Sequence, residues 1–352
     1  MIPYYVLVLT PIVLSLFYQP KEEKKIKRKV AIIMSIFFAI FLILLICRDI
    51  SIGVDLKNYK IMFNGFKGTP LSELIGEREF GYALLNKLAF NINGEYRTVI
   101  ILVAIISIIP LAIVYMKEAE NPILTIALFM SVAPFTMYFS GLRQVIAMAI
   151  GVGAYYCTKH KKLIPFILMV LFAMLFHMSA FILFFMYPIY HLKIDHKKLV
   201  FAIPTGVVLL IFNAPILGFI QTFLDDQYQY DIEETGAYMM IVVFLIFLLI
   251  CYIIPDESKL DEQTKGLRSL LVFVFLIQCF ALSNSVAMRM NYYYLIFVPI
   301  LIPRILNRSK LGLNQLVKLV SIAMSIFFII YYFYNMHFGE DGLLIYPYEV
   351  WQ

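Results

Sequence analysis

Six ionisable residues lie at or just beyond the ends of long apolar runs: Arg48, Asp55, Glu79, Arg143, His177 and Arg289. Their types divide between two tasks. A guanidinium fork matches phosphate oxygens bidentately, so Arg48, Arg143 and Arg289 are candidates to hold a phosphate. An imidazole or carboxylate can accept a hydroxyl proton, which makes His177, Glu79 and Asp55 candidates for a general base. Gathered at a membrane surface, such groups suit an enzyme that meets a lipid-linked substrate. The sequence has no DxD-like acidic pair, no HExxH and no Cys/His cluster, so neither a metal nor a cofactor is expected. Stabilising the leaving group then falls to the arginines as fixed cations.

Each candidate has a bland alternative. In RDISIGVDLKNYKIMF, Asp55 and Tyr59 are spaced i, i+4 and share a helical face, with Tyr59 as a further substrate contact. Arg48 there could equally snorkel to headgroups beside an N-capping Asp55. In SGLRQVIAMAIGVGA, Ser140, Ala147, Gly151 and Ala154 fall on nearly the same face as Arg143. Small residues let a neighbouring helix approach, which turns Arg143 into the bundle with Gln144 beside it. An inward arginine needs a partner, either phosphate or a structural pair with Glu79 or Asp55. His177, in FHMSA, is a base or a hydrogen-bonded turn residue. Glu79 acts as base if burial raises its pKa, and is otherwise an exposed helix-start glutamate. His177 ranks slightly ahead of Glu79, and Asp55 is better suited to orienting an arginine. Arg289 precedes Tyr293 by four residues in MRMNYYY, which fits a phosphate or saccharide contact as well as an interfacial belt.

These residues must be carried by membrane helices. The 352 residues are 62% hydrophobic, with a mean hydropathy of +0.85, well above soluble composition. Apolar runs near 2–19, 29–47, 98–116, 122–139 and 141–157 are long enough to span. KEEKKIKRK (21–29) carries six bases and two acids, which places it on the cytoplasmic side and the preceding terminus outside. The run 163–190 is one long helix or two short ones. KHKK (159–162) and HLKIDHKK (191–198) are both basic, so two crossings with a turn at FHMS (176–179) keep both inside. Further spans near 199–220, 237–254, 268–285, 288–304 and 314–334 bring the total to about twelve, with both termini external. The acid-rich 225–234 segment falls outside and RILNRSK (304–310) inside. All six candidate residues then emerge on the external face.

The expected fold is therefore all-α: a single polytopic membrane domain over 1–352. Its longest connection, 48–97, is external and amphipathic, with helices lying along the interface to wall a cavity. In EREFGYALLNKLAF, Phe80, Leu84, Leu85 and Leu88 share one face, opposite Arg78 and Asn86. The first helix reads as an uncleaved anchor. Cys47, Cys157, Cys251 and Cys279 lie in apolar surroundings without metal or redox spacing. The net charge of +6 belongs to loops facing anionic lipid, not to nucleic-acid binding. No phosphate-loop or dinucleotide fingerprint is present.

The sequence resembles the EpsG family, similar to Wzy-type polysaccharide polymerases. The resemblance rests on R-x4-G-x-D-x3-Y-x3-F from Arg48 to Phe63, E-x-G at Glu79 and Gly81, GLRQ at 141–144 and HMSA at 177–180. It covers about 45–185 well and thins beyond, to Arg289 with its aromatics and a distal PYEVW. The resemblance implies a GT-C-like glycosyltransferase of the bacterial inner membrane, with its active site facing the periplasm or exterior. It would polymerise oligosaccharide repeat units carried on undecaprenyl pyrophosphate, with lipid-linked donor and acceptor, membrane lipid and a chain-length regulator protein as partners. A polysaccharide transporter or flippase is the alternative, and a membrane O-acyltransferase a weaker third. Transporters often show repeated halves and charges near the bilayer midplane; here the charges gather at one surface.

Overall fold

The computed structural model describes residues 1–75, 79–221, 238–309, 314–338 and 344–351. Arg78 and the acidic 225–234 segment lie outside these residues. The described chain is helical, and its only β-type pairing is two isolated bridges. It falls into two compact units, Met1–Leu183 with Val320–Gln352, and Phe184–Leu319.

The first unit contains α1 (Ile2–Phe17), α2 (Glu23–Cys47), α3 (Leu56–Phe66), α4 (Leu71–Leu74), α5 (Phe80–Asn93), α6 (Tyr96–Glu118), α7 (Pro122–Ser131), α8 (Met137–Ser140), α9 (Leu142–Lys159) and α10 (Leu163–Met174). A 3₁₀ stretch, Met178–Phe185, follows. The second unit holds α11 (Met186–Leu192), α12 (His196–Gln221), α13 (Tyr238–Ile253), α14 (Glu262–Phe280), α15 (Ser285–Leu295) and α16 (Val298–Asn307). Finally α17 (Asn314–Phe338) returns the chain to the first unit.

Among the described residues five helices, within α2, α6, α12, α14 and α17, are long and apolar enough to cross a membrane. Shorter apolar helices accompany them, and the chain is an integral membrane protein. Two runs that read as continuous spans are broken. The 122–139 run stops at Ser131 and resumes as α8, with Pro134 in the gap. The 288–304 run divides into α15 and α16, with Pro299 in the first turn of the second. A proline lacks the N–H that would continue a helix through it. The same effect kinks α12 at Phe212, ahead of Pro215. In the opposite direction, α14 starts earlier than its apolar run, because Asp261 caps it by accepting from Thr264 N at 2.7 Å.

The 163–190 region turns back on itself at His177. A Cβ on Gly153 would lie 3.4 Å from Met169 Sδ, and one on Gly151 3.2 Å from Leu183 Cδ1. So α10 climbs along α9 and the 3₁₀ stretch descends beside the same helix. At the far end of α9, Lys159 Nζ and Tyr155 Oη both reach Glu118, tying α9 to α6. An aromatic cluster forms the core between α2 and α7: Phe41 stacks on Phe135 at 4.7 Å, and Phe37 and Phe38 meet Phe129 edge-on.

The α5 helix buries part of each of its faces. Asn86 is buried and donates to Tyr82 O at 2.7 Å, whereas Leu84 and Leu88 face outward. Gly81, Ala83 and Ala89 lie on the buried side with Tyr82 and Leu85, and the small residues let neighbouring chain approach closely there.

Candidate active site

Four segments of the first unit meet around Glu79. Its backbone is left-handed, with φ 56° and ψ 46°, a conformation costing a non-glycine residue about 1–2 kcal/mol. The next turn explains how it is held. Gly81 N donates to Leu175 O at 2.8 Å, and a Cβ at Gly81 would lie only 3.0 Å from that carbonyl and from the Phe176 ring. Glycine thus lets the start of α5 dock on the end of α10, carrying Glu79 to His177.

The carboxylate joins three donors. Oε1 is 2.5 Å from His177 Nδ1 and accepts from Met178 N at 3.2 Å. Oε2 accepts from Arg143 Nη1. Burial works to raise the Glu79 pKa, but the imidazole, the guanidinium and the Met178 N–H outweigh it and hold the group below its usual value. Glu79 is therefore an anion at neutral pH and a weak proton acceptor. With Nδ1 directed at that anion, His177 carries its hydrogen there, which leaves the Nε2 lone pair for an external proton. Among the described residues Nε2 has no partner.

Arg143 is the second residue of α9, next to the turn at Gly141. Its Nε points to Tyr59 Oη at 3.5 Å, and its guanidinium lies 5.4 Å from the Tyr59 ring centre. Tyr59 is itself buried edge-on against Tyr82. These contacts leave Nη2 without a partner among the described residues. The cation is one-third exposed beside the imidazole.

Asp55 adjoins this group through a different residue. Ser140 Oγ donates to Asp55 Oδ2 at 3.0 Å and accepts from Asp55 N at 3.2 Å. Ser140 is fully buried, immediately before the Gly141–Leu142–Arg143 turn. Gly53 makes this approach feasible: its φ is +111°, and a Cβ would fall 2.0 Å from Phe139 O. The sequence pattern marks Ser140 only as a small residue, although its place one residue ahead of GLRQ was a usable signal.

The remaining candidates are placed otherwise. Arg48 is 1% exposed, donates to Tyr138 O at 3.3 Å and lies over the Phe139 ring at 5.6 Å. It presents no guanidinium edge to an external phosphate. Gln144 is buried within α9. Arg289 is exposed and Tyr293 buried on α15, in the second unit. The structure thus joins Glu79, His177, Arg143 and Tyr59, with Asp55 alongside.

The EpsG family model matches residues 32–350 of the chain. No curated protein and no solved structure matches it.

Proposed function

The chain belongs to the EpsG family, whose members are Wzy-type polymerase-like, and from that premise we propose that it polymerises lipid-linked oligosaccharide repeat units. The carrier is undecaprenyl pyrophosphate and the reaction a metal-independent glycosyl transfer at the external face of the bacterial inner membrane. The observation that carries this reading is the single carboxylate of Glu79 joined at once to a partly exposed arginine and a partly exposed histidine.

The parts divide as follows. An acceptor sugar hydroxyl attacks the anomeric carbon of the donor chain while the bond from that carbon to the pyrophosphate oxygen breaks. The hydroxyl proton passes to His177 Nε2, and the bond's electron pair leaves with the pyrophosphate. Arg143 meets the growing negative charge through Nη2, held in line by Tyr59 and Glu79. Glu79 is then no rival base to His177. It fixes the tautomer and stabilises the imidazolium that forms, as a buried carboxylate does for a histidine base. Asp55, engaged by Ser140, orients the turn beside α9. Arg289, exposed on α15, would be a separate phosphate or saccharide contact, whereas Tyr293 is buried and makes none.

Purified protein supplied with lipid-linked repeat units in EDTA should yield a ladder of polymer lengths. Strict dependence on added magnesium or manganese would overturn the metal-independent mechanism. Translocation of the lipid-linked unit without chain growth would favour the transporter instead.

A further inference from the structure

Residues 344–351, outside the helices, run antiparallel to the chain that leaves α2. Asp49 N donates to Glu349 O and Trp351 N to Cys47 O, both at 2.9 Å, on either side of the Arg48–Val350 bridge. Gly53 N donates to Leu344 O, also at 2.9 Å. Side chains fasten the same segment: Tyr348 Oη donates to Leu44 O at 2.8 Å, and Tyr4 Oη to Ile345 O at 2.6 Å. Arg97 serves both strands, with its guanidinium 4.6 Å from the Trp351 ring and Nη1 donating to Arg48 O at 3.0 Å. None of these groups touches Glu79, His177 or Arg143.

We propose that residues 344–351 are a positioning strap for glycosyl transfer, acting on Arg143 through the 48–55 turn. This rests on the reading of the Glu79 site as a polymerase centre. The connection is continuous. The strap fixes the Arg48 backbone, and the buried Arg48 guanidinium grips Tyr138 O and the Phe139 ring. The same turn ends at Asp55, whose bonds to Ser140 fasten the residue before the Gly141 turn. Arg143 follows two residues after that turn begins. Arg48 is thereby a positioning residue: its Nε is buried without a partner, and its accessible role is to hold the Tyr138–Ser140 elbow. A strap of this kind acts on geometry at the reacting centre, where small displacements are costly to rate, and not on substrate capture.

Trp351 is the chain's single tryptophan, so its fluorescence reports directly on the strap. In purified full-length protein, Arg97→Ala should make Trp351 more accessible to acrylamide. It should also lower kcat for polymer growth roughly tenfold, with KM little changed. Arg97→Lys keeps a cation over the ring and a donor for Arg48 O, and should recover most of the loss. Tyr348→Phe, which removes one hydrogen bond, supplies a milder release should Arg97→Ala not fold. Release of Trp351 with kcat unchanged would overturn the proposal while leaving the polymerase reading intact. A rise in KM alone would also overturn it, making the strap a binding surface. A wild-type protein that makes no polymer fails the polymerase reading itself, and the positioning role falls with it.

Discussion

Two clusters in this chain use the same four side-chain types and hide opposite members. In the first unit Glu79 joins Arg143 and His177, with the arginine over Tyr59. In the second, Glu257 joins Arg268 and His196, with the arginine 4.3 Å from the Tyr252 ring centre. The side chain of Glu79 is 10% exposed and that of Arg143 32%. For Glu257 and Arg268 the figures are 37% and 2%. Around Glu79 the anion is enclosed while cation and imidazole face outward, so both can act on something that arrives. Around Glu257 the cation is enclosed, gripped by both carboxylate oxygens, while the carboxylate and the His196 imidazole face outward. Residue types alone do not separate the two clusters; the order of burial does.

The sharpest way to break this contrast is His177→Ala. Loss of a general base should slow single-turnover transfer by about 10²–10⁴-fold, with thermal stability close to wild type. An intact chemical step in that variant would return the role of base to Glu79. Glu257→Ala should show the converse: about 3 kcal/mol less stability, because it strands the buried Arg268 charge. Denaturant midpoints in detergent check this, with turnover per folded molecule unchanged. Arg143→Lys keeps the charge but loses the fork, and should reduce kcat about 10²-fold while the protein remains folded.

Acid titration tests the Glu79 cluster more gently. The folded pKa of Glu79 lies below its ordinary value. Its contribution to stability is therefore complete above the unfolded value of about 4.3 and is lost as pH falls through the lowered one. Glu79→Gln should flatten the acid limb of a stability–pH curve. The smallest effect belongs to His196→Ala, where an exposed imidazole leaves the bidentate pair in place; the change should stay within about 0.5 kcal/mol.

Much of the helical framework is legible in apolar periodicity, because each span carries its own signal along consecutive residues. The reversal at His177 is legible too, from the two basic segments that flank it. What escapes is set by partners far apart in the chain. Glu79 and His177 read as competing bases, since no local pattern shows that residues 98 apart share one hydrogen bond. Arg48 reads as a phosphate ligand because the strap that encloses it arrives 300 residues later. Asn86 reads as outward-facing because hydropathy carries no information about which face holds the small residues.

The left-handed backbone at Glu79 has a consequence for how this position can drift. Glycine or asparagine would occupy the same turn with less backbone strain, but would give up the anion that His177, Met178 N and Arg143 share. The backbone and the side chain of this residue therefore pull in opposite directions. In that sense position 79 gives up local backbone ease for a charge that three donors share.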